Sequence, residues 1–231
     1  THVVTVSNSE RTAILKHYSG YISNSRISYL QNGGLSGDPV VVDTPSEKCR
    51  ANRVLYVGSL TKRKNAEGLI AAAIELAKDP DLEFFFIGSN GLNFSEVGVA
   101  IPTELEERFH FLGQINDAEQ VCTHYESAKL LLFPSFYEAS PLPPIEAMAN
   151  GCPVVAAKIP SLEERCGDAA EYCDPSHNES IVSAAKAVLF DPDRWNDLQL
   201  KGLQRAAGFT WKSQAQTLLT GVENMHATGE Y

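Results

Sequence analysis

Basic residues are in short supply: 19 lysines and arginines stand against 29 aspartates and glutamates, a formal net charge of −10 over 231 residues. A protein that holds nucleic acid or an anionic membrane by its phosphates needs a basic face, so neither is expected as a partner. No apolar run approaches the ~18 residues of a membrane-spanning helix, and no basic segment followed by an apolar one opens the chain. Neither a transmembrane segment nor a secretory signal is expected, and a cytoplasmic site fits best. The five cysteines (Cys49, Cys122, Cys152, Cys166, Cys173) are odd in number and never form a CxxC pair. They read as buried thiols rather than disulfides or zinc ligands. The histidines form no pair at metal-ligand spacing, and there is no Walker loop, GxGxxG loop or GxSxG elbow.

What is present is ordinary for a globular chain, 43% apolar and 21% charged residues without low-complexity tracts. A chain of this length buries roughly 70% of its unfolded surface when it folds as α/β. From Arg53 onward apolar strands alternate with helices: VLYVG, then Ala66, Leu69, Ile70, Ala73, Ile74 and Ala77 at helical spacing; LEFFFIG; a loop around Gly91; RFHFLG; and a helix capped by Asn116-Asp117. Lys129 to Phe133 and Pro153 to Ala157 follow as strands around a short helix opening at Pro144. Ala169 to Cys173 is a weaker strand, and amphipathic helices cover about 177–189, 191–206 and 212–227. Strands that are apolar throughout, alternating with helices, predict a doubly wound parallel sheet covered on both faces, with ligands at the carboxyl ends of its strands. Before it come a short strand over Val3 to Val6, a helix opening at Ser9-Glu10-Arg11, a strand near Ile27 to Leu30, a strong turn signal at Asn32-Gly33-Gly34, and a polar connector over Leu35 to Asn52.

Two stretches at strand ends carry candidate chemistry. Gly58-Ser59-Leu60-Thr61-Lys62-Arg63-Lys64-Asn65 leads into a helix and sets three adjacent cations where free amides favour an anion. A solvated basic turn is the bland alternative. Glu138 and Glu146 stand with seven residues between them, one on a loop and one in the first turn of a helix. A carboxylate there can hold a ribose diol, as in dinucleotide sites, while Arg63 and Lys64 supply the charge a pyrophosphate requires. Helix-dipole complementation by Glu146 is the simpler alternative.

The run of motifs, GSL-TKRKN, FFFIGSNG, FHFLGQINDAE, AKLLLFPSFYEAS and LPPIEAMANGCPVVAAKIPSLEERCGDAA, resembles the nucleotide-sugar half of retaining GT-B glycosyltransferases of family 4, across residues 53–228. The resemblance implies a Rossmann-like donor domain over 53–231 ending in a crossing helix, a linker over 33–52, and a short strand-helix remnant of the acceptor-binding domain with its crossing strand over 1–32. It implies transfer of a hexose from a UDP- or GDP-linked sugar to an acceptor hydroxyl, with no metal or other cofactor. The acceptor, a glycan or a lipid-linked one, would be held by an N-terminal domain missing from this chain, and the enzyme could sit against the inner membrane face.

By the same resemblance Glu138 contacts the donor sugar and Glu146 the ribose. Lys64 and Arg63 face the diphosphate, with Gly58, Ser59 and the backbone of Ala139, Ser140 and Leu142 around it, and the base lies near Gly88 and Ile115. Two positions depart from the family pattern: Ser59 replaces a common arginine, so that either Arg63 substitutes or the charge is missing, and Pro141 has no N–H to donate. The alternatives are a nucleotide-sugar-binding module without turnover and, less favoured, a GT-B nucleotide-sugar epimerase. The start at Thr1 suggests a fragment or processed product, whose N-terminal remnant should leave apolar surface for a second copy or a partner chain.

Overall fold

Strands that are apolar on both sides build the centre of the molecule. The structure, a computed structural model, describes residues 2–34, 50–89 and 99–228. Six strands form one parallel sheet: β3 (Arg53–Val57), β4 (Glu83–Ile87), β5 (Phe109–Gly113), β6 (Leu130–Phe133), β7 (Val154–Ala157) and β8 (Ala170–Cys173). Every residue of β6 and β7 is buried, as strands covered by helices on both faces must be. The spatial order is β5-β4-β3-β6-β7-β8. The chain therefore walks outward from β3 to β5, then returns to the other side of β3. That reversal leaves a crevice at the carboxyl ends of β3 and β6.

The helices that follow are α2 (Ala66–Leu76), α3 (Ala118–Ser127), α4 (Pro143–Ala149), α5 (Pro160–Cys166), α6 (Asn178–Leu189), α7 (Pro192–Ala206) and α8 (Trp211–Thr228). Asn65 starts α2 from a left-handed conformation, φ 57°, which asparagine tolerates, and its Oδ1 accepts the Gly68 amide. Its Nδ2 donates to the carbonyls of Pro134 and Pro175, tying together the loops that leave β6 and β8. Trp195 of α7 is wholly buried and donates its indole N–H to the Lys129 carbonyl at 2.7 Å. Arg50, which the sequence places in a polar connector, is buried instead. Its guanidinium stacks over Trp195 and donates to the carbonyls of Tyr125, Ala128 and Asn150, satisfying the open ends of α3 and α4. Residues 35–49 of that connector, with Cys49, and the loop around Gly91 lie outside the described residues.

Sequence and structure differ at two points. α5 is too short to show an apolar period, although Pro160 at its start, Glu163 in its first turn and Gly167 just after it are helix-boundary signals. Asn32-Gly33-Gly34 makes no turn. The two glycines serve close approach: a Cβ on Gly33 would lie 2.5 Å from the Trp211 amide nitrogen, and one on Gly34 would lie 2.6 Å from Ile145 Cγ2. The N-terminal strand has one partner in a small sheet of its own. β1 (Val3–Thr5) pairs in parallel with β2 (Ile27–Tyr29), and α1 (Asn8–His17) connects them. Around them Val4, Tyr18, Tyr21 and Tyr29 are exposed, as are Leu218, Leu219 and Val222 of α8. Among the described residues no helix is long and apolar enough to cross a membrane.

Candidate active site

The loops leaving β3 and β6 meet above the switch point. Arg63 receives the Phe136 amide on its carbonyl at 3.1 Å and donates Nη1 to the Tyr137 carbonyl at 3.0 Å. Lys64 places its ammonium directly on Oε1 of Glu138, while Arg63 Nη1 lies 3.6 Å from Oε2. Glu138 is almost enclosed, its side chain 6% exposed, whereas Lys64 and Arg63 are 14% and 52% exposed. Thus the sequence-predicted cations and the first glutamate form one cluster, open to solvent through Arg63. Ser140 Oγ, in the loop after Glu138, is buried and has no hydrogen-bond partner among the described residues.

Glu146 sits in the first turn of α4, and its Oε2 accepts from the Tyr125 hydroxyl of α3 at 2.9 Å. Burial pushes its carboxyl above the usual range, opposed by that hydrogen bond and by the charge of Arg165. Tyr125 is itself buried, its hydroxyl held well above its ordinary pKa by desolvation and the neighbouring carboxylate. It is therefore a fixed donor that occupies part of Glu146. Sequence reasoning missed this partner because nothing local couples an aromatic at the end of one helix to an acid 21 residues later.

The glycines at the strand ends have a structural task. Gly58 (φ 150°) donates to the Ile87 carbonyl and Gly88 (φ 144°) to that of Gly113, both at 2.8 Å. A Cβ on Gly88 would lie 2.1 Å from the Gly58 oxygen. Their amides are used within the sheet, so what they offer a ligand is room rather than donors. Ser59 and Ile115 are half-buried at the same edge, and Ala139 and Leu142 half-buried in the loop before α4.

A cavity of about 610 Å³ lies beside this cluster, between α1 and the Phe136-Tyr137-Glu138 loop. Its wall is fixed by Glu164 of α5, which accepts the Asn8 and Ser9 amides at 2.8 and 3.0 Å, satisfying the first turn of α1. Across it Tyr137 donates to Glu10 at 3.3 Å.

The six-stranded doubly wound parallel sheet with helices on both faces is the fold of GT-B glycosyltransferases. The chain belongs to the family described as glycosyl transferases group 1, which it matches over residues 45–205. It is 32% identical over 166 residues to the O-antigen chain mannosyltransferase B of Escherichia coli, covering 69% of this chain and 42% of that protein. It is also 32% identical over 176 residues to the D-inositol 3-phosphate glycosyltransferase of Nocardia farcinica, covering 72% of this chain and 39% of the relative. The chain thus spans less than half the length of these two curated relatives. Among solved structures, sucrose-phosphate synthase from Thermosynechococcus elongatus superposes with a TM-score of 0.78 at 26% identity, over 97% of this chain and 58% of that one. Anabaena HepE in complex with UDP and glucose superposes with a TM-score of 0.76 at 16% identity, over 96% of this chain and 62% of that one, a likeness of fold.

Proposed function

We propose that this chain is the donor-binding half of a retaining glycosyltransferase of family 4, which moves a hexose from a UDP- or GDP-linked sugar to an acceptor hydroxyl. The observation that carries the reading is the meeting of Lys64 and Arg63 with Glu138 at the β3/β6 switch point, with Glu146 on the next helix. Lys64 neutralises Glu138, so a diphosphate arriving there meets little net repulsion. Lys64 and Arg63 then face the diphosphate, Glu146 accepts from the ribose hydroxyls through the oxygen that Tyr125 leaves free, and Glu138 accepts from the sugar.

In the transfer the bond from the sugar's anomeric carbon to the diphosphate oxygen breaks, and the acceptor oxygen bonds to that carbon from the same face. The acceptor's proton passes to the departing phosphate. Charge grows on the diphosphate as the bond breaks, and fixed cations stabilise it more than the ground state, which is the electrostatic form of catalysis. The cavity beside Glu138 supports placing the acceptor, a glycan or lipid-linked hydroxyl, against α1. The remaining part of a longer protein would complete that side and cover Val4, Tyr18, Tyr21 and Tyr29 and the exposed apolar residues of α8.

Because the chain spans only about half the length of its curated relatives or less, nucleotide-sugar binding without turnover is the second reading for the chain alone. Calorimetry with UDP, GDP and their common hexose conjugates tests the first part: one nucleotide should bind, and its sugar conjugate more tightly. No binding by any of them would sink the reading. Binding without transfer or donor hydrolysis, with transfer restored by adding an N-terminal half, would separate the module from the enzyme.

A further inference from the structure

Arg165 is a buried cation that the proposed reaction does not use. It sits on α5 at 1% exposure, and among the described residues no carboxylate lies within ion-pair distance of it. Its charge is met by carbonyls: Nη1 donates to Asn32 at 2.6 Å and Nη2 to Gly33 at 3.3 Å. Its guanidinium also lies over the Phe209 ring, 4.5 Å from the centroid. A charge taken out of water is costly unless its partners are well placed, and here those partners belong to two separate passages of the chain. The passages through Asn32 and Phe209 are themselves joined, since the Gly34 amide donates to the Phe209 carbonyl at 2.8 Å.

The same place borders the candidate nucleotide site. Gly34 presses on Ile145, the residue before Glu146, closely enough that a Cβ would collide. Arg165 also acts electrostatically on Glu146. Among the described residues, the other groups that bear on Glu146 are Tyr125, bonded to it, and the Cys122 thiol, both from α3.

We propose that Arg165 is a positioning residue that fastens both chain passages to α5, with Gly34 held against Ile145 at the start of α4, so that nucleotide binding at Glu146 and the tightness of the passages are coupled. The nucleotide arm rests on the reading of Glu146 as the ribose holder. Coupling of this kind is reciprocal: if the fastened passages favour nucleotide, nucleotide must tighten the passages.

The test compares the full chain with Arg165→Met and Arg165→Lys. Carboxyl-carbon NMR follows the Glu146 titration, assigned with Glu146→Gln, and deuterium exchange follows residues 31–34 and 208–211, with and without UDP or GDP. Arg165→Met should move the Glu146 midpoint upward, speed exchange in both passages, and weaken nucleotide binding roughly tenfold, within the range usual for such couplings. Arg165→Lys keeps the charge but cannot fork to two carbonyls while stacking on a ring, so the Glu146 midpoint should stay near wild type while exchange still rises. A folded Arg165→Met with unchanged midpoint and unchanged exchange would overturn the proposal. If that variant does not fold, unchanged exchange in Arg165→Lys does the same. A wild type that binds nucleotide without slower exchange at 31–34 refutes the coupling. A wild type that binds neither nucleotide refutes the ribose reading and with it the coupling, while midpoint and exchange still decide the fastening role.

Discussion

Lys64 and Glu138, 74 residues apart in the chain, are joined ammonium to carboxylate where the loops of two neighbouring strands meet. The pair is mostly out of water, so it must be kept whole: removing one member leaves the other charged, buried and underpaired.

Lys64→Ala should therefore cost stability as well as donor affinity. With only the half-exposed Arg63 left at 3.6 Å from Glu138, a loss of about 1–3 kcal/mol in urea unfolding is expected. Nucleotide-sugar binding should fall at least about tenfold, one step of 1.4 kcal/mol. Lys64→Ala with unchanged unfolding midpoint and slope would show that the ion pair contributes nothing to the fold.

The two glutamates should separate by ligand. Glu146→Ala is expected to weaken free nucleotide and nucleotide sugar alike, because the ribose is common to both. Glu138→Ala is expected to spare free nucleotide and weaken only the sugar conjugate. Calorimetry of both variants with both ligands decides it, and equal losses in all four titrations would refute this division.

Acid should weaken nucleotide binding earlier than an ordinary carboxylate would. Burial raises the Glu146 carboxyl, so it takes up its proton above the usual value of roughly 4.3, and hydroxyl acceptance declines from there. Tyr125→Phe removes an opposing hydrogen bond and should move that acid limb upward. The sign for folding is opposite. A raised folded-state pKa adds stability that is fully present below the unfolded value and lost as pH rises through the folded one. Thermal unfolding of Glu146→Gln against wild type, from below pH 4 to neutrality, should show wild type losing ground as pH rises.

Gly88→Ala should disrupt the site from beneath. Gly88 adopts φ 144°, and its Cβ would meet the Gly58 carbonyl at 2.1 Å. Backbone on both sides leaves no flexible group to yield, so β3 and β4 must part at their carboxyl ends. Lower thermal stability together with lost nucleotide binding is expected, and a variant that melts and binds like wild type would contradict the observed packing.

The elements of the sheet were legible because their signals are local. Apolar runs marked β3, β4, β6 and β7, and Asp117 marked the start of α3, whose first-turn amide it accepts. Errors arose where one residue type has two uses. Gly33 and Gly34 read as a turn because glycine permits turns, yet they are small so that the α8 start and Ile145 can approach. Arg50 read as solvated connector because arginine is usually exposed, yet it closes two helix ends.

By itself the sequence determined the strand and helix succession, the three cations after β3 and the two glutamates after β6, since periodicity, caps and spacing act over a few residues. Only the tertiary structure decided which of these meet. Lys64 reaches Glu138 because β6 returns beside β3. Tyr125 reaches Glu146, and Arg165 reaches Asn32 across 133 residues, because helices from distant parts of the chain cover the same sheet. Those pairings depend on strand order and helix placement, which follow from how the whole apolar surface is buried rather than from any one segment.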